Sequence, residues 1–540
     1  LHDLVEAPVD WEQLDKGISG EQARLCQRDL MPHQREALEA AEAYFKNNSR
    51  GRLIMACGTG KTFTSLRIAE NETSGKGPVL FLVPSIALLG QTLREWTAFS
   101  SVPLHPVCIC SDPEVSRKKT KNEDQDRFSV VDLALPASTN VKNILRQFQN
   151  IREQNRPGMT VVFSTYQSIE VIAQAQQELI KAGDEFGRFG LIICDEAHRT
   201  TGVSMSKEDE SAFIKVHDNE FLQADKRLYM TATPRLYTDD AKSRAAKENA
   251  VLCSMDDPEL YGEEIYRIGF GRAVEQGLLT DYKVLILTLN DGDIPPAIQK
   301  MISDEDHEIN TDDASKLIGC INALSKQIIG DEGSIRANDP EPMRRAVAFC
   351  PRIKESKKIT GIFNESSEVY INDLPAARKE RMVSVASRHI DGTMSAPERD
   401  ELLSWLKAET DEKECRILTN VRCLSEGVDV PSLDAVMFLS ARNSQVDVVQ
   451  SVGRVMRRAD GKQYGYIIIP VVIPSSMEAD KALDDNERYR VVWTVLNALR
   501  AHDDRFNATI NKIDLNRKKP DNILIGRPDY PLDDGGASLS

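Results

Sequence analysis

The run MACGTGKT, Met55 to Thr62, sets Gly58 and Gly60 around Thr59 and follows them with Lys61 and Thr62. Glycines let a backbone turn its N–H groups toward an anion, and a helix starting there adds the positive end of its dipole. A lysine at that point reaches the β- and γ-phosphates of a nucleoside triphosphate, and the next hydroxyl ligates Mg²⁺. The strict phosphate-loop spacing has glycine where Met55 stands, a departure from the pattern. Far downstream, LIICDEAHRT delivers Asp195 and Glu196 behind an apolar run. One carboxylate there holds Mg²⁺ through water, and the other orients and deprotonates an attacking water. Later still, SVGRVMRR spaces Arg454 and Arg457 three apart, which a helix puts on one face. Two guanidiniums neutralise the charge that develops on a γ-phosphate. Each fragment alone also reads as something ordinary: a glycine turn, an acidic helix start, a basic surface turn. Together they describe cleavage of a phosphoanhydride.

These residues need rigid elements to hold them. Short apolar runs at Arg52–Cys57, Val79–Val83, Thr160–Ser164, Leu191–Cys194 and Arg227–Thr231 predict strands buried on both faces. Helical patterns such as TFTSLRIAE and LLGQTLREWTAF lie between them, the alternation of a parallel α/β sheet. YKVLILTL, RAVAFC, CRILTN, AVMFLS and YGYIIIPVVI repeat the scheme in the second half. SKLIGCINALSKQIIG reads as a helical connection, and YRVVWTVLNALRAHDDRF as an amphipathic helix before a polar tail. Its apolar face fits docking on further domains and packing within its own domain equally well. The charged run Ser116–Arg127 reads as a solvated loop, with contact to a duplex as the alternative.

Composition sets limits. The chain has 540 residues, enough for several domains, and 41% of them are hydrophobic. Acidic residues outnumber basic ones by 84 to 68, a net charge of -16. That excludes a broadly basic surface but not a locally positive cleft for nucleic acid. The ten cysteines are scattered, without metal-ligand spacing, and read as reduced thiols in a cytoplasmic protein. No signal peptide or membrane-spanning run is legible. The first residue is Leu1, which points to a fragment of a longer polypeptide or a trimmed chain.

In this order the stretches resemble superfamily 2 helicases and translocases over roughly residues 25 to 475. MPHQREAL is similar to the adenine-reading element, MACGTGKT to motif I, LVPSIALLGQT to motif Ia and FSTYQS to the next strand-contacting motif. DEAH resembles motif II, TATP motif III, AVAFCPRIKES motif IV, LTNVRCLSEGVDVP motif V and QSVGRVMRR motif VI. Ser425–Arg458 and Val491–Asp514 look like the motor portion of single-chain type ISP restriction–modification enzymes and of related phage-defence helicases.

The resemblance implies two tandem RecA-like parallel-sheet lobes with the ATP site in the cleft between them, plus a helical C-terminal extension. The expected divisions are a linker over 1–24, lobe 1 over 25–280, a helical connection over 281–342, lobe 2 over 343–475 and an extension over 476–540. Gln34 would read adenine; Gly58, Thr59, Gly60 and Lys61 would hold phosphate, with Thr62 and Asp195 at Mg²⁺. Glu196 would serve the attacking water, and Thr231 and Thr233 would couple hydrolysis to lobe movement. Gly427 and Asp429 would lie near the γ-phosphate and ribose, and Gln450, Arg454 and Arg457 would complete the site. Pro84, Ser85, Thr165, Tyr166, Thr419 and Asn420 are the candidate DNA contacts.

The implied activity is ATP-driven translocation on DNA, duplex favoured, in a restriction or antiviral system with nuclease, methyltransferase and target-recognition domains. Alternatives are a strand-separating DNA or RNA helicase and a nucleotide-gated clamp. In either case Lys61→Ala is expected to abolish ATP turnover while leaving nucleotide-free DNA binding intact. Near-wild-type hydrolysis by that variant would refute the site assignment.

Overall fold

A computed structural model of the chain describes residues 28–110, 137–155, 157–204, 213–235, 251–290, 298–300, 310–330, 333–421, 430, 433–440, 445–473, 490–503, 505 and 522–528. Gly427, Asp429 and the run Ser116–Arg127 lie outside these residues. Two compact units divide between Gly269 and Phe270.

The described strands of the first unit include β1 (Arg50–Met55), β2 (Val79–Val83), β3 (Leu104–Ile109), β4 (Met159–Thr165) and β5 (Phe189–Cys194). β6 (Gly202–Ser204), β7 (Ala224–Thr231), β8 (Val251–Cys253) and β9 (Glu263–Ile268) follow. β6 and β8 form a small antiparallel ladder. The other strands make one parallel sheet in the order β3-β4-β2-β5-β7-β1-β9. Every residue of β2 and β4 is buried, which is why they read as unbroken apolar runs. Helices α1 (Pro32–Phe45), α2 (Lys61–Glu72), α3 (Ile86–Phe99), α4 (Val141–Gln154) and α5 (Ile169–Lys181) accompany the sheet.

Sheet order brings the chemistry together. β5, β7 and β1 are neighbours, so their C-terminal ends set the segments after Cys194, Thr231 and Met55 side by side. Ligands of parallel α/β sheets bind at that edge. Trp96 of α3 is fully buried against Phe81 and Phe163, with ring centroids 5.1 and 5.6 Å away. Its indole N–H donates to Thr62 O at 3.1 Å, which pins the first turn of α2 to the core.

In the second unit β10 (Asp281–Asn290), β11 (Ile328–Gly330), β12 (Gly333–Ser334), β13 (Arg345–Phe349) and β14 (Ser384–His389) are joined by β15 (Glu414–Asn420), β16 (Ala435–Phe438), β17 (Tyr464–Ile473) and β18 (Ile523–Pro528). They form a mostly parallel sheet in the order β12-β11-β18-β10-β17-β16-β13-β15-β14. Its helices include α6 (Thr311–Leu324), α7 (Ile353–Asp373), α8 (Ala396–Lys407), α9 (Gln445–Val455) and α10 (Arg490–His502). Leu317, Ile318 and Ile321 of α6 are buried in the same core as Leu285 and Leu287 of β10. α10 packs on α9, so the apolar face of VVWTVLNAL is used inside this unit. Just past α10, Asp503 accepts from Tyr282 Oη of β10 at 2.8 Å. Among the described residues no helix is long and apolar enough to cross a membrane.

The strands expected from sequence are present. β3, β6, β8, β9, β11, β12, β14 and β18 are additions, and β11 is the IIG end of the run SKLIGCINALSKQIIG, which reads as helical throughout. β3, β9 and β14 are sheet edges, which carry charge or proline instead of an apolar run. β18 lies inside the sheet between β11 and β10, although it comes from the segment read as extension and tail.

A buried polar network braces the turn that follows β5. His217 is 6% exposed; its Nε2 faces Thr200 O at 3.2 Å and its Nδ1 faces Tyr229 Oη at 2.9 Å. The carbonyl requires Nε2–H, so Nδ1 accepts from the tyrosine and the ring is neutral. Burial, followed by the cations of Arg50 and Arg227, pushes the imidazole down to about 4. The unfolded ring titrates near 6.5, so as pH falls the unfolded chain takes up a proton first. His217 therefore contributes stability that is complete above about pH 6.5 and lost as pH falls toward 4. At about pH 5 the loss is on the order of 2 kcal/mol. Thermal unfolding at neutral and mildly acid pH is expected to show a larger acid destabilisation in the wild type than in His217→Gln. Equal destabilisation would contradict the assignment.

Candidate nucleotide site

β1 ends at Met55, and Ala56 N–H still donates to Ile268 O of β9 at 2.9 Å. The loop then closes on itself, because Thr59 Oγ1 donates to Ala56 O at 2.7 Å. Gly58 and Gly60 adopt φ of 86° and 82°, the left-handed region that side chains disfavour. A Cβ on Gly60 would also press on the terminal amide of Gln34, which would have to shift. α2 begins at Lys61 with no side-chain cap, leaving its first N–H groups to the loop.

The MPHQ segment braces that loop from the other side. Gln34, 1% exposed, accepts from Met31 N–H at 3.0 Å and donates to Gly60 O at 3.4 Å. His33 Nε2 meets Thr59 O at 2.8 Å. Sequence reasoning singled out Gln34 alone; the adjacent histidine makes the shorter contact to the loop.

Lys61 Nζ lies 3.4 Å from Glu196 Oε1. Burial works against the ammonium, but Glu196 and Asp195 outweigh it and hold the lysine above its usual range. Burial likewise works against the Glu196 anion, and Lys61, as charge and hydrogen-bond donor, outweighs it, so the carboxyl is held below its usual value. Glu196 has φ 48°, a left-handed conformation in a residue that pays for it sterically. Its N–H donates to Asp195 Oδ1 at 2.9 Å, and Asp195 O accepts from Tyr166 Oη at 2.8 Å.

Behind the acids stands His198, whose position two residues past Glu196 in DEAH was its sequence signal. Its Nδ1 lies 3.0 Å from Thr231 Oγ1, 3.2 Å from Thr233 Oγ1 and 3.4 Å from Glu196 Oε2. Burial pushes this ring down to about 4, so it is neutral near pH 7. One imidazole thus links the acidic turn to the segment after β7.

The donor set fits a nucleoside triphosphate with Mg²⁺. The left-handed glycines and a helix start without a side-chain cap adjoin Lys61, and buried Glu196 Oε2 accepts no hydrogen bond from the protein. A free acceptor on an ionised carboxylate suits a water to be deprotonated. Thr62 follows Lys61 on the first turn of α2, and Asp195 presents its carboxylate beside Glu196.

In the second unit Gln450 and Arg454 lie on α9, which ends at Val455, so Arg457 stands in the turn beyond. Arg457 N–H donates to Arg454 O at 3.3 Å, keeping that turn on the helical path. Gln450 is 5% exposed, and both arginines are half-buried.

The six track candidates divide by exposure. Ser85 is half-buried and caps α3, accepting from Leu88 N–H at 3.4 Å. Pro84 is buried, with its carbonyl facing Gln167 Nε2 at 3.4 Å. Thr165 and Tyr166 are buried, Tyr166 completely. Thr419 is completely buried among Ser356 and Thr360, with Thr360 Oγ1 at 2.6 Å. Asn420 donates to Ala348 O at 3.2 Å, also completely buried.

Comparison with known proteins matches residues 27–236 to the family described as type III restriction enzyme, res subunit. Residues 333–459 match the helicase conserved C-terminal domain. Among solved structures, the ATP-dependent type ISP restriction–modification enzyme LlaBIII bound to DNA is 40% identical with a TM-score of 0.81, covering 98% of this chain and 33% of that one. A nuclease-deletion mutant of the type ISP enzyme LlaGI, in complex with a DNA substrate mimic, is 36% identical with a TM-score of 0.60, covering 92% and 30%. A probable helicase of African swine fever virus is 26% identical over 510 residues, 94% of this chain and 48% of that protein. The chain thus spans about half the length of that relative and a third of the LlaBIII chain. Both lobes, their motifs in order and these matches make the chain a superfamily 2 helicase-type protein related to the type ISP restriction motors.

Proposed function

We propose that the chain is an ATP-dependent DNA translocase motor that moves along duplex DNA within a restriction or phage-defence system. The observation that carries this reading is the buried cluster of Lys61, Glu196 and His198 beside the left-handed loop of Gly58 and Gly60. The kinship supports DNA as the track, because the LlaBIII structure is of an enzyme bound to DNA.

In this mechanism the bound nucleotide, with Mg²⁺, supplies the phosphoanhydride to be cleaved. Lys61 and the N–H groups at the start of α2 would hold its phosphates, and Thr62 and Asp195 would hold the metal. Glu196, ionised and with a free oxygen, orients the attacking water and takes its proton. Gln34 keeps the loop shape and reads the base, while Arg454 and Arg457 neutralise developing charge and Gln450 completes the site as a hydrogen-bonding amide. Gly427 and Asp429 complete the nucleotide contacts in this reading. His198 carries the state of the acids to Thr231 and Thr233, the coupling segment. Of the track candidates, Ser85 is the one that is half-buried and the other five are buried. Thr165, Tyr166, Thr419 and Asn420 shape the surface from beneath, and Pro84 fixes the backbone. Contacts to phosphate position such a motor without reading sequence.

Steady-state ATP hydrolysis measured without polymer and with duplex DNA, single-stranded DNA or RNA tests the choice of track. Stimulation by duplex that grows with its length is the expected outcome. Stimulation by single strands or RNA alone would replace the translocase with a strand-separating helicase. Indifference to all three would leave a nucleotide switch.

A further inference from the structure

Beyond the C-terminal end of α9, the chain turns through Met456 to Gly461 and returns into β17 at Tyr464. The last carbonyls of a helix lack partners within it. Here they are met by groups from elsewhere. Lys462 Nζ donates to Val455 O at 2.5 Å, to Arg457 O at 3.1 Å and to Leu433 O at 2.6 Å. Thr280 N–H donates to Met456 O at 2.7 Å, between the two carbonyls that Lys462 holds. Arg458 is tied back to Gly277 O at 2.7 Å. Leu433 leads into β16, whose preceding Asp434 accepts from Arg344 and Arg345 N–H at 2.8 and 3.0 Å. A single ammonium therefore ties the peptide of Arg457 to the helix end and to the sheet.

We infer that Lys462 is a positioning residue for hydrolysis, one that fixes the backbone of Arg457 so that its guanidinium is aimed before charge develops on the transferred phosphoryl group. The inference rests on the reading of Arg454 and Arg457 as the charge-neutralising pair. The three acceptors come from the end of α9, the turn after it and the segment leading into β16, and all three N–H bonds of the ammonium are engaged. A helix cap would need only Val455 O and Arg457 O. The bond to Leu433 O adds a fixed reference on the sheet.

The same geometry makes the device sensitive to alkali. Burial lowers the Lys462 ammonium to about 8, against the pull of Asp434 and with the push of Arg457. Asp434 is itself shared with the strand carrying Arg345. On losing its proton the amine keeps two N–H bonds for three carbonyls, and the turn loses its positive charge. Positioning therefore holds below about pH 8 and weakens above it.

The test uses the full 540-residue chain with saturating duplex DNA. The kcat and KM for ATP are measured from about pH 6.5 to 9.5 for the wild type, Lys462→Met, Lys462→Arg and Arg457→Ala. Binding of a fluorescent ATP analogue and thermal midpoints are recorded alongside. Lys462→Met is expected to lower kcat about tenfold or more near neutral pH, with KM changed less than about threefold, as misplacement of a catalytic group does. The wild type is expected to lose kcat above about pH 8, and Lys462→Arg to lose this alkaline limb because its charge persists. A Lys462→Met protein with a lower thermal midpoint but unchanged kcat would overturn the inference. So would an alkaline limb that survives in Lys462→Arg, and this comparison stands if Lys462→Met fails to fold. If Arg457→Ala keeps wild-type kcat, the reading of the arginines fails first, whatever Lys462 does.

Discussion

The buried pair of Lys61 and Glu196 is the contact on which the first unit depends. Both side chains are about nine-tenths enclosed and 3.4 Å apart. Taking an ammonium and a carboxylate out of water costs several kcal/mol for each ion, which their attraction only partly offsets. Such a pair is poor as a source of stability. It is well suited to a site where both charges must be present and dry before a polyanion arrives. The pair also joins two chain segments far apart in sequence, so it forms only after β1 and β5 flank β7. The left-handed Glu196, the glycine loop and the uncapped start of α2 are local costs borne at the same place.

The supports around that pair share a pattern. Groups that do no chemistry close the backbone acceptors of groups that do. Trp96 holds Thr62 O, His33 holds Thr59 O and Tyr166 holds Asp195 O. In the second unit Lys462 and Thr280 hold the carbonyls around Arg457. Each contact fixes a peptide through its carbonyl and makes no use of the functional side chain. This arrangement meets the demand for preorganised charge, which stabilises a transition state without reorganising when it forms.

Much of this was legible in the sequence, and the omissions have causes. Strands enclosed on both faces, such as β2 and β4, announce themselves as apolar runs. The edge strands β9 and β14 do not, because EEIYRI and SVASRH carry the polar residues that an open edge requires. The loop and the acids of DEAH were readable because phosphate chemistry dictates residue type and spacing. The part played by His198 was not, since its partners Thr231 and Thr233 lie at the end of β7 and in the turn after it, which only the sheet order brings near. Tyr166 and Thr419 show the converse. Their hydroxyls read as track contacts, yet they are buried in bonds to Asp195 O and Ser356 O. Lys462 had no signal, as a lysine in an ordinary turn becomes informative only when its three carbonyls are seen.

Cleavage of ATP by this cluster serves a motor only if each turnover advances the chain along its track. Displacement of a labelled triplex-forming strand from duplex DNA measures that directly, because nothing binds the third strand except the duplex. The account predicts displacement that requires ATP and is delayed in proportion to the distance between the loading end and the triplex. A third strand that stays in place while ATP is hydrolysed would contradict it and leave a nucleotide-gated clamp.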